Sequence, residues 1–290
     1  TVDLEVFADG EIGDAPRINW FPDSTNYVQF VNKQVITHPS LEYDEYYRRQ
    51  MGGNRIVLAS SLPQGYYETE ALSVNDPARY FLHSFRHYLA AHGIVVQGKI
   101  RAADETISYD STTVLATHQS KPMAEIVRRI NKESDNFYAE MILKTLSADV
   151  SGRPGSFDNG VKLVRTFLAE MGVDTNYVQM NDGSGLADGN FNRTANFTQL
   201  LYTMESHPEY QAFRNSFPIA GVDGSLSYRM KDSPLKNKFL GKTGFVSGVR
   251  TISGYLTTKS GKQFTVSIAT NHFISDKLLP IDHVHEQILE

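Results

Sequence analysis

The sequence predicts an α+β protein of two domains, the second an antiparallel sheet flanked by helices. Three observations predict it. Strand-like alternation broken by turn residues dominates residues 1–75, helical periodicity dominates 122–206, and three strand-like runs and a helical one close the chain. At 290 residues the chain can bury a full core and is long enough for two domains.

Taken in order, Val2-Asp3-Leu4-Glu5-Val6 alternates apolar and polar residues, as do parts of 27–31 and 54–58. Pro16, Pro22, Pro39 and Pro63 punctuate these short strands with turns. Asp76-Pro77 opens a helix, with Asp76 as N-cap and proline at the first helical position, where its missing N–H costs nothing. Tyr80, Phe81, Phe85, Tyr88 and Leu89 recur at helical spacing, and Gly93 ends the run. His83 and His87 stand one helical turn apart, as a metal pair would, but no Glu follows the first and no third ligand is near, so both are read as packing or surface residues. Ile94-Val95-Val96 and Gly98-Lys99-Ile100 read as strand pieces. Residues 101–120 are polar, with Ser108, Ser111, Thr112, Thr113 and Thr117, and a domain boundary is expected there, near 110. That gives a β-rich first portion with one helix over 1–110 and a second domain over 111–290.

From Pro122, apolar Met123, Ile126, Val127 and Ile130 line one helical face. A second helix follows at once with Tyr138, Met141, Ile142 and Leu146, so Ser134-Asp135-Asn136 falls in the tight joint between the two. Short polar side chains at such a joint either cap the second helix or point into a cleft, and one loop can do both. A third helix covers 157–171 and stops at Gly172; Asp182-Gly183-Ser184-Gly185-Leu186 is a turn cluster before a helix near 194–206. Ser184 is read as a turn residue, since Asp182 and Leu186 stand where a Gly-x-Ser-x-Gly nucleophile elbow needs its glycines. A second turn cluster, 219–226, precedes three strands: one running to Lys242, one over 251–258 and one over 264–271. Ser260-Gly261-Lys262 turns between the last two, and a terminal helix spans about 277–290.

Composition excludes several classes. Forty per cent hydrophobic and 21% charged residues are ordinary globular values. A net charge of −5, with no Lys/Arg run, argues against a nucleic-acid or anionic-membrane partner. No window approaches the roughly 18 consecutive apolar residues of a membrane-spanning helix. The absence of cysteine leaves the redox compartment open. A start at Thr1 rather than Met reads as an imposed boundary, so the lack of a signal peptide is silent on export. The sequons at Asn192 and Asn196 are read as chance matches.

Chemistry concentrates in two short motifs, Ser134-Asp135-Asn136 and, 108 residues later, Lys242-Thr243-Gly244. Lysine supplies a fixed positive charge, threonine a hydroxyl able to bind a carboxylate, and Gly244 removes a side chain where a substrate backbone would lie alongside the strand. With Ser-x-x-Lys, these two motifs form the signature of penicillin-binding proteins and class A β-lactamases. The only Ser-x-x-Lys here is Ser233-Pro234-Leu235-Lys236, in the wrong order and place, and Ser233 is not assigned.

Longer stretches carry a more specific resemblance. Asn131 to Glu140, Asp182 to Leu186, Ala220 to Leu226 and Lys242 to Tyr255 together resemble the D-alanyl-D-alanine carboxypeptidase/endopeptidases of the penicillin-binding protein 4 type, peptidase family S13. The resemblance implies the transpeptidase fold shared by penicillin-binding proteins and β-lactamases, in an incomplete form, with residues 1–110 as the late portion of the accessory domain that the family inserts after Ser-x-x-Lys. It implies acyl transfer through a serine ester on peptidoglycan stem peptides ending in D-Ala-D-Ala, β-lactams as inhibitors of the full-length parent, no cofactor or metal, and an extracytoplasmic location. Ser134 would pass a proton towards the leaving group and Asn136 would bind the substrate amide. Lys242 would hold the Ser134 hydroxyl and attract the terminal carboxylate, Thr243 would bind that carboxylate, Gly244 would leave room for the substrate, and the Phe245 N–H would form half of an oxyanion hole. The expectation is a C-terminal portion without its nucleophile, inactive alone.

Two departures from the family pattern, Phe245 in place of Thr or Ser and an insertion-like Ala187 to Phe191, point to altered substrate side-chain preference. Two other readings compete. A class A β-lactamase needs a deacylating Glu, but Glu170 lies in an amphipathic helix just before its glycine stop, and the accessory β region fits that class poorly. A non-catalytic peptidoglycan-binding homologue that has lost its nucleophile segment is the other, and the upstream reading frame separates it from the enzyme.

Overall fold

The computed structural model describes residues 1–22, 26–101, 113–151, 154–274 and 280–290. They fall into two compact units, Thr1–Leu115 and Ala116–Glu290. The expected boundary near 110, with Ser108, Ser111 and Thr112, and the expected helix start at Lys277 lie outside the described residues.

The first unit is built from β1 (Val2–Phe7), β2 (Arg17–Phe21), β3 (Gln29–Asn32), β4 (Val35–Thr37), β5 (Tyr47–Arg49), β6 (Arg55–Leu58), β7 (Ser61–Pro63), β8 (Tyr67–Leu72) and α1 (Pro77–Ala91). β1 lies between β2 and β8, antiparallel to both; β6 pairs parallel with β3 and antiparallel with β5, and β4 pairs parallel with β7. The alternation in β1 places Val2, Leu4 and Val6 in a core with Ile36, Ile56, Leu58 and Leu62. Asp76 caps α1 by accepting from the Arg79 N–H at 3.0 Å. The two strand pieces expected after this helix do not form. Ile94 N–H turns back to the Leu89 carbonyl at 2.8 Å, and Ile94, Val95 and Val96 stay 54%, 76% and 44% exposed. A β-branched run favours extended backbone, but a strand also needs a neighbour to pair with.

The second unit contains α2 (Met123–Glu133), α3 (Asn136–Ser151), α4 (Phe157–Glu170), α5 (Thr194–Met204), α6 (Tyr210–Ser216), β9 (Phe239–Val246), β10 (Val249–Thr257), β11 (Gln263–Asn271) and α7 (Ile281–Leu289). The three strands form an antiparallel sheet in the order β11-β10-β9, so β9 is an edge strand. On one face Leu240 and Tyr255 pack with Leu201 of α5 and Phe217, and the Tyr255 hydroxyl donates to the Leu201 carbonyl at 2.8 Å. On the other, Phe239 and Ile252 pack with Leu226, Met230, Leu235 and Leu289 of α7. Helices therefore flank a sheet, as the sequence predicts.

Three details differ from the sequence expectation. β9 runs on past Lys242 to Val246, and α6 adds seven residues that periodicity did not single out. In α3 the buried residues are Leu143 and Ser147, while Tyr138, Met141 and Leu146 are more than a third exposed. Apolar residues lie around much of this helix, so spacing alone could not choose the covered face. Close packing by α4 chose it: a Cβ on Gly160 would sit 2.5 Å from the Leu143 carbonyl oxygen, so only glycine lets the two helices approach there.

Ile252 is fully buried between sheet and helices. Ile252→Ala should cost about 2–5 kcal/mol, read as a lower urea midpoint at unchanged slope; a loss below about 1 kcal/mol would contradict this packing.

Candidate active site

α2 ends at Ser134, whose backbone takes the left-handed conformation (φ 57°, ψ 45°). A serine there is mildly strained, and the turn allows α3 to start two residues later. Asp135 stabilises the restart. Its N–H reaches back to the Ile130 carbonyl, while its carboxylate accepts from the Tyr138 N–H at 3.0 Å and from Arg129 Nε at 3.2 Å. Capping by Asp135 leaves the Ser134 hydroxyl to face Lys242, whose Nζ donates to Ser134 Oγ at 2.8 Å.

A partly buried ion pair sets that approach. Lys132, 11% exposed, contacts both oxygens of Asp223 at 2.7 and 2.6 Å, and Asp223 also accepts from the Ile219 N–H at 2.8 Å. The end of α2 is thereby clamped to the loop that leads into the sheet. Gly224 follows with φ +57°, and a Cβ there would meet the Lys132 carbonyl oxygen at 2.6 Å, so the loop can seat against α2 only with glycine. Seating delivers Ser225, whose hydroxyl lies 2.9 Å from Thr243 Oγ1.

Strand parity orients the edge of β9. The Phe239 carbonyl and the Gly241 N–H both bond outward, to Ala220 N and the Pro218 carbonyl. Backbone groups two residues apart point the same way, so the N–H groups of Thr243 and Phe245 face this outer edge beyond the last rung. The Thr243 carbonyl on that side accepts from Lys242 Nζ at 2.7 Å. An extended peptide could add to this edge as a further strand. Gly244 meets a nearer need: a Cβ there would lie 2.3 Å from Thr251 Oγ1, so its missing side chain makes room for the neighbouring strand.

Among the described residues no carboxylate pairs with Lys242, and burial lowers its pKa from 10.5 to about 8. A lysine in that range holds a neutral fraction near physiological pH and can take up or release a proton. Asn136 is exposed in the first turn of α3, and its side chain makes no hydrogen bond among the described residues. Phe245 is 66% exposed, with the Arg250 guanidinium 3.5 Å from its ring centroid.

The turn at 182–186 is tied to the same helix joint. Glu140, one turn along α3 from Asn136, accepts from the N–H groups of Gly183 at 2.7 Å and Ser184 at 3.2 Å. Burial raises the Asp182 carboxyl, and donors from Asn190, Gly185, Ala187 and Ser184 outweigh it, holding the pKa below its ordinary value. Ser184 Oγ bonds Asp182 at 3.1 Å, as a turn residue would. Ser233 Oγ donates to Glu290, the residue that follows α7, at 2.7 Å, and not to Ser134 or Lys242.

The structure thus brings Ser134, Lys242 and Thr243 together and adds Ser225, Asp223 and Glu140, to which sequence patterns assign no role. The local signal for them was present in Asp223-Gly224-Ser225 and in Glu140 within the longer matching stretch, but their partners are far away in sequence. In the first unit, carboxylate oxygens of Glu45, Glu68 and Glu70 lie within 4.8 Å of one another. Glu68 is occupied there by the hydroxyls of Tyr43, at 2.6 Å, and Tyr47, at 2.7 Å.

The sequence pattern of the D-Ala-D-Ala carboxypeptidase 3 (S13) family matches residues 1–284. A D-alanyl-D-alanine carboxypeptidase of Actinomadura sp. (strain R39) is 34% identical over 229 residues, which cover 77% of this chain and 42% of that protein. The D-alanyl-D-alanine carboxypeptidase DacB of Haemophilus influenzae is 27% identical over 195 residues, 67% of this chain and 40% of that one. The chain therefore spans about two fifths of the length of these curated relatives. The crystal structure of penicillin-binding protein 4 (dacB) from H. influenzae in complex with a β-lactam superposes with a TM-score of 0.76 at 23% identity, covering 99% of this chain and 69% of that one. That likeness places the fold among penicillin-binding proteins.

Two outcomes test this geometry. Asp223→Ala leaves the largely covered Lys132 ammonium without its partner and, with the carboxylate side of the pair screened by solvent, should cost about 1–3 kcal/mol in urea unfolding. Because the folded pKa of Lys242 lies below its ordinary value, the unfolded chain binds more protons between the two, and stability should rise as pH goes from about 8 to 10.5. Lys242→Met should flatten that rise; an unchanged slope would show that Lys242 titrates normally.

Proposed function

Since the chain belongs to the D-Ala-D-Ala carboxypeptidase 3 (S13) family, we propose that it forms part of the acyl-transfer site of a serine-type D-Ala-D-Ala carboxypeptidase/endopeptidase acting on peptidoglycan stem peptides. The observation that carries the reading is the 2.8 Å contact between Lys242 Nζ and Ser134 Oγ, beside an unpaired strand edge. Two polar groups 108 residues apart in sequence, one of them desolvated, are held together where an extended peptide can dock.

Each residue then has a role in a balanced reaction. The peptide lies along the edge of β9, its terminal carboxylate drawn by Lys242 and bonded by Thr243, with Ser225 orienting the threonine hydroxyl. Asn136 bonds the substrate amide. A serine hydroxyl attacks the carbonyl of the penultimate D-Ala, the developing oxyanion accepts from the Phe245 N–H, and the C–N bond breaks. The proton lost from the serine reaches the departing amine through Ser134, whose hydroxyl Lys242 holds. Water then hydrolyses the ester. The chain has no Ser-x-x-Lys before Ser134, so the acylating serine of this reading is supplied by the parent protein outside this chain, and the chain alone turns nothing over. β-Lactams would acylate the same serine. Peptidoglycan lies outside the cytoplasmic membrane, which places the protein in the cell envelope; no described helix is long and apolar enough to cross a membrane.

Fluorescent penicillin labelling of the full reading-frame product, followed by peptide mapping, tests the proposal. The label should fall on a serine outside this chain, and Ser134→Ala and Lys242→Ala should each slow labelling by about 10²–10⁴-fold. A folded parent that takes no label would instead be a peptidoglycan-binding homologue, and a label on Ser233 or Ser134 would overturn these roles.

A further inference from the structure

A cavity in the second unit lies apart from Ser134, Lys242 and Thr243, none of which lines it. It is an open groove of about 590 Å³ between α4 and the segments on either side of the 182–190 loop, lined by Arg165, Asn176, Tyr177, Gln179, Phe191 and Arg193 among others. Its volume is in the range of small-ligand sites, about 300–1,000 Å³.

Its walls are fixed before any ligand arrives. Arg165 donates to the carbonyls of Val178 and, at 3.0 Å, Thr175, tying α4 to the groove floor. Gln179 and Phe191 exchange backbone hydrogen bonds at 2.9 and 3.0 Å, closing the base of the loop. Arg193 pairs with Asp174 at 2.8 Å and lays its guanidinium 3.5 Å from the Tyr177 ring centroid, so one face of that ring is backed by a cation. Yet Tyr177 is 52% exposed and Phe191 63%. Two aromatic rings, one backed by a cation and one on a backbone-anchored residue, thus face solvent beside the exposed amides of Asn176 and Gln179 and the two arginines.

This mixture suits one ligand chemistry. A pyranose presents a flat C–H face that stacks on an aromatic ring and a rim of hydroxyls that both donate and accept. Amide side chains answer that rim with a donor and an acceptor each. A lipid would find too many polar groups. A nucleic acid would find an anionic protein, with net charge −5 and both groove arginines already partnered.

We propose that this groove binds a glycan strand of N-acetylated amino sugars, separately from the acyl-transfer residues. The choice of amino sugar rests on the peptidoglycan reading above, since stem peptides are carried on such a strand. The connection to the site is physical: the loop whose base closes the groove is tied through Gly183 and Ser184 to Glu140 on the helix that begins at Asn136. Holding the strand in the groove raises the effective concentration of its peptides at the strand edge without a new contact to the peptide.

The test is isothermal titration of this chain with tetra-N-acetylchitotetraose, with Tyr177→Ala, Phe191→Ala and Tyr177→Phe as variants, each checked by circular dichroism. Saturable binding should weaken at least tenfold in both alanine variants and persist in Tyr177→Phe, which keeps the ring. No saturable heat at millimolar oligosaccharide, or equal binding by folded alanine variants, overturns the assignment. Penicillin labelling of the full reading-frame product carrying Tyr177→Ala should match the wild type. If the wild-type parent takes no label while the groove binds the glycan, the acyl-transfer reading fails and the groove stands.

Discussion

The ion pair between Lys132 and Asp223 is the constraint on which the candidate site depends. Covering the Lys132 ammonium is costly, and the cost is offset because Asp223 stays partly in water and also accepts from the Ile219 N–H. Its effect is positional. It fixes the end of α2 against the loop entering β9, so that Ser134, two residues beyond Lys132, and Lys242, on the strand beyond the loop, arrive at hydrogen-bond distance. Gly224 permits the approach and Ser225 gains its contact with Thr243 from it.

A second tie runs through Glu140, which holds the 182–186 turn against α3. Ser134, Asn136 and Glu140 thus sit on one short stretch of chain, yet each faces a different element: the sheet edge, solvent and the turn. The left-handed turn at Ser134 makes this divergence possible, and Asp135 stabilises it by capping α3. Desolvation of Lys242 follows from the same assembly: with only neutral oxygens around it, its charge is disfavoured.

Edge position explains why β9 suits a docking strand. β10 and β11 pair along their lengths, and the 218–220 segment covers β9 only as far as Gly241. Beyond it the outward N–H groups of Thr243 and Phe245 meet no backbone partner from that segment, next to the Lys242 and Ser134 contact. Unpaired edges invite non-specific pairing. The stretch left open here is short and carries a half-buried lysine, which restricts what can add to it.

Much of this was legible in the sequence because it is local. Alternation in β1, the cap at Asp76, the paired helices around Ser134 and the three closing strands follow from spacing and turn chemistry, and the two motifs with their longer flanks identified the family. Local patterns failed where a partner decides the outcome. Ile94 to Val96 has strand propensity and no strand to join, and the apolar α3 could not say which face α4 would cover. Tertiary structure alone decided the pairing of Lys132 with Asp223, the seat of Ser225 and the desolvation of Lys242. Each of these is set by groups distant in sequence, whose meeting depends on packing rather than on any residue's own preference.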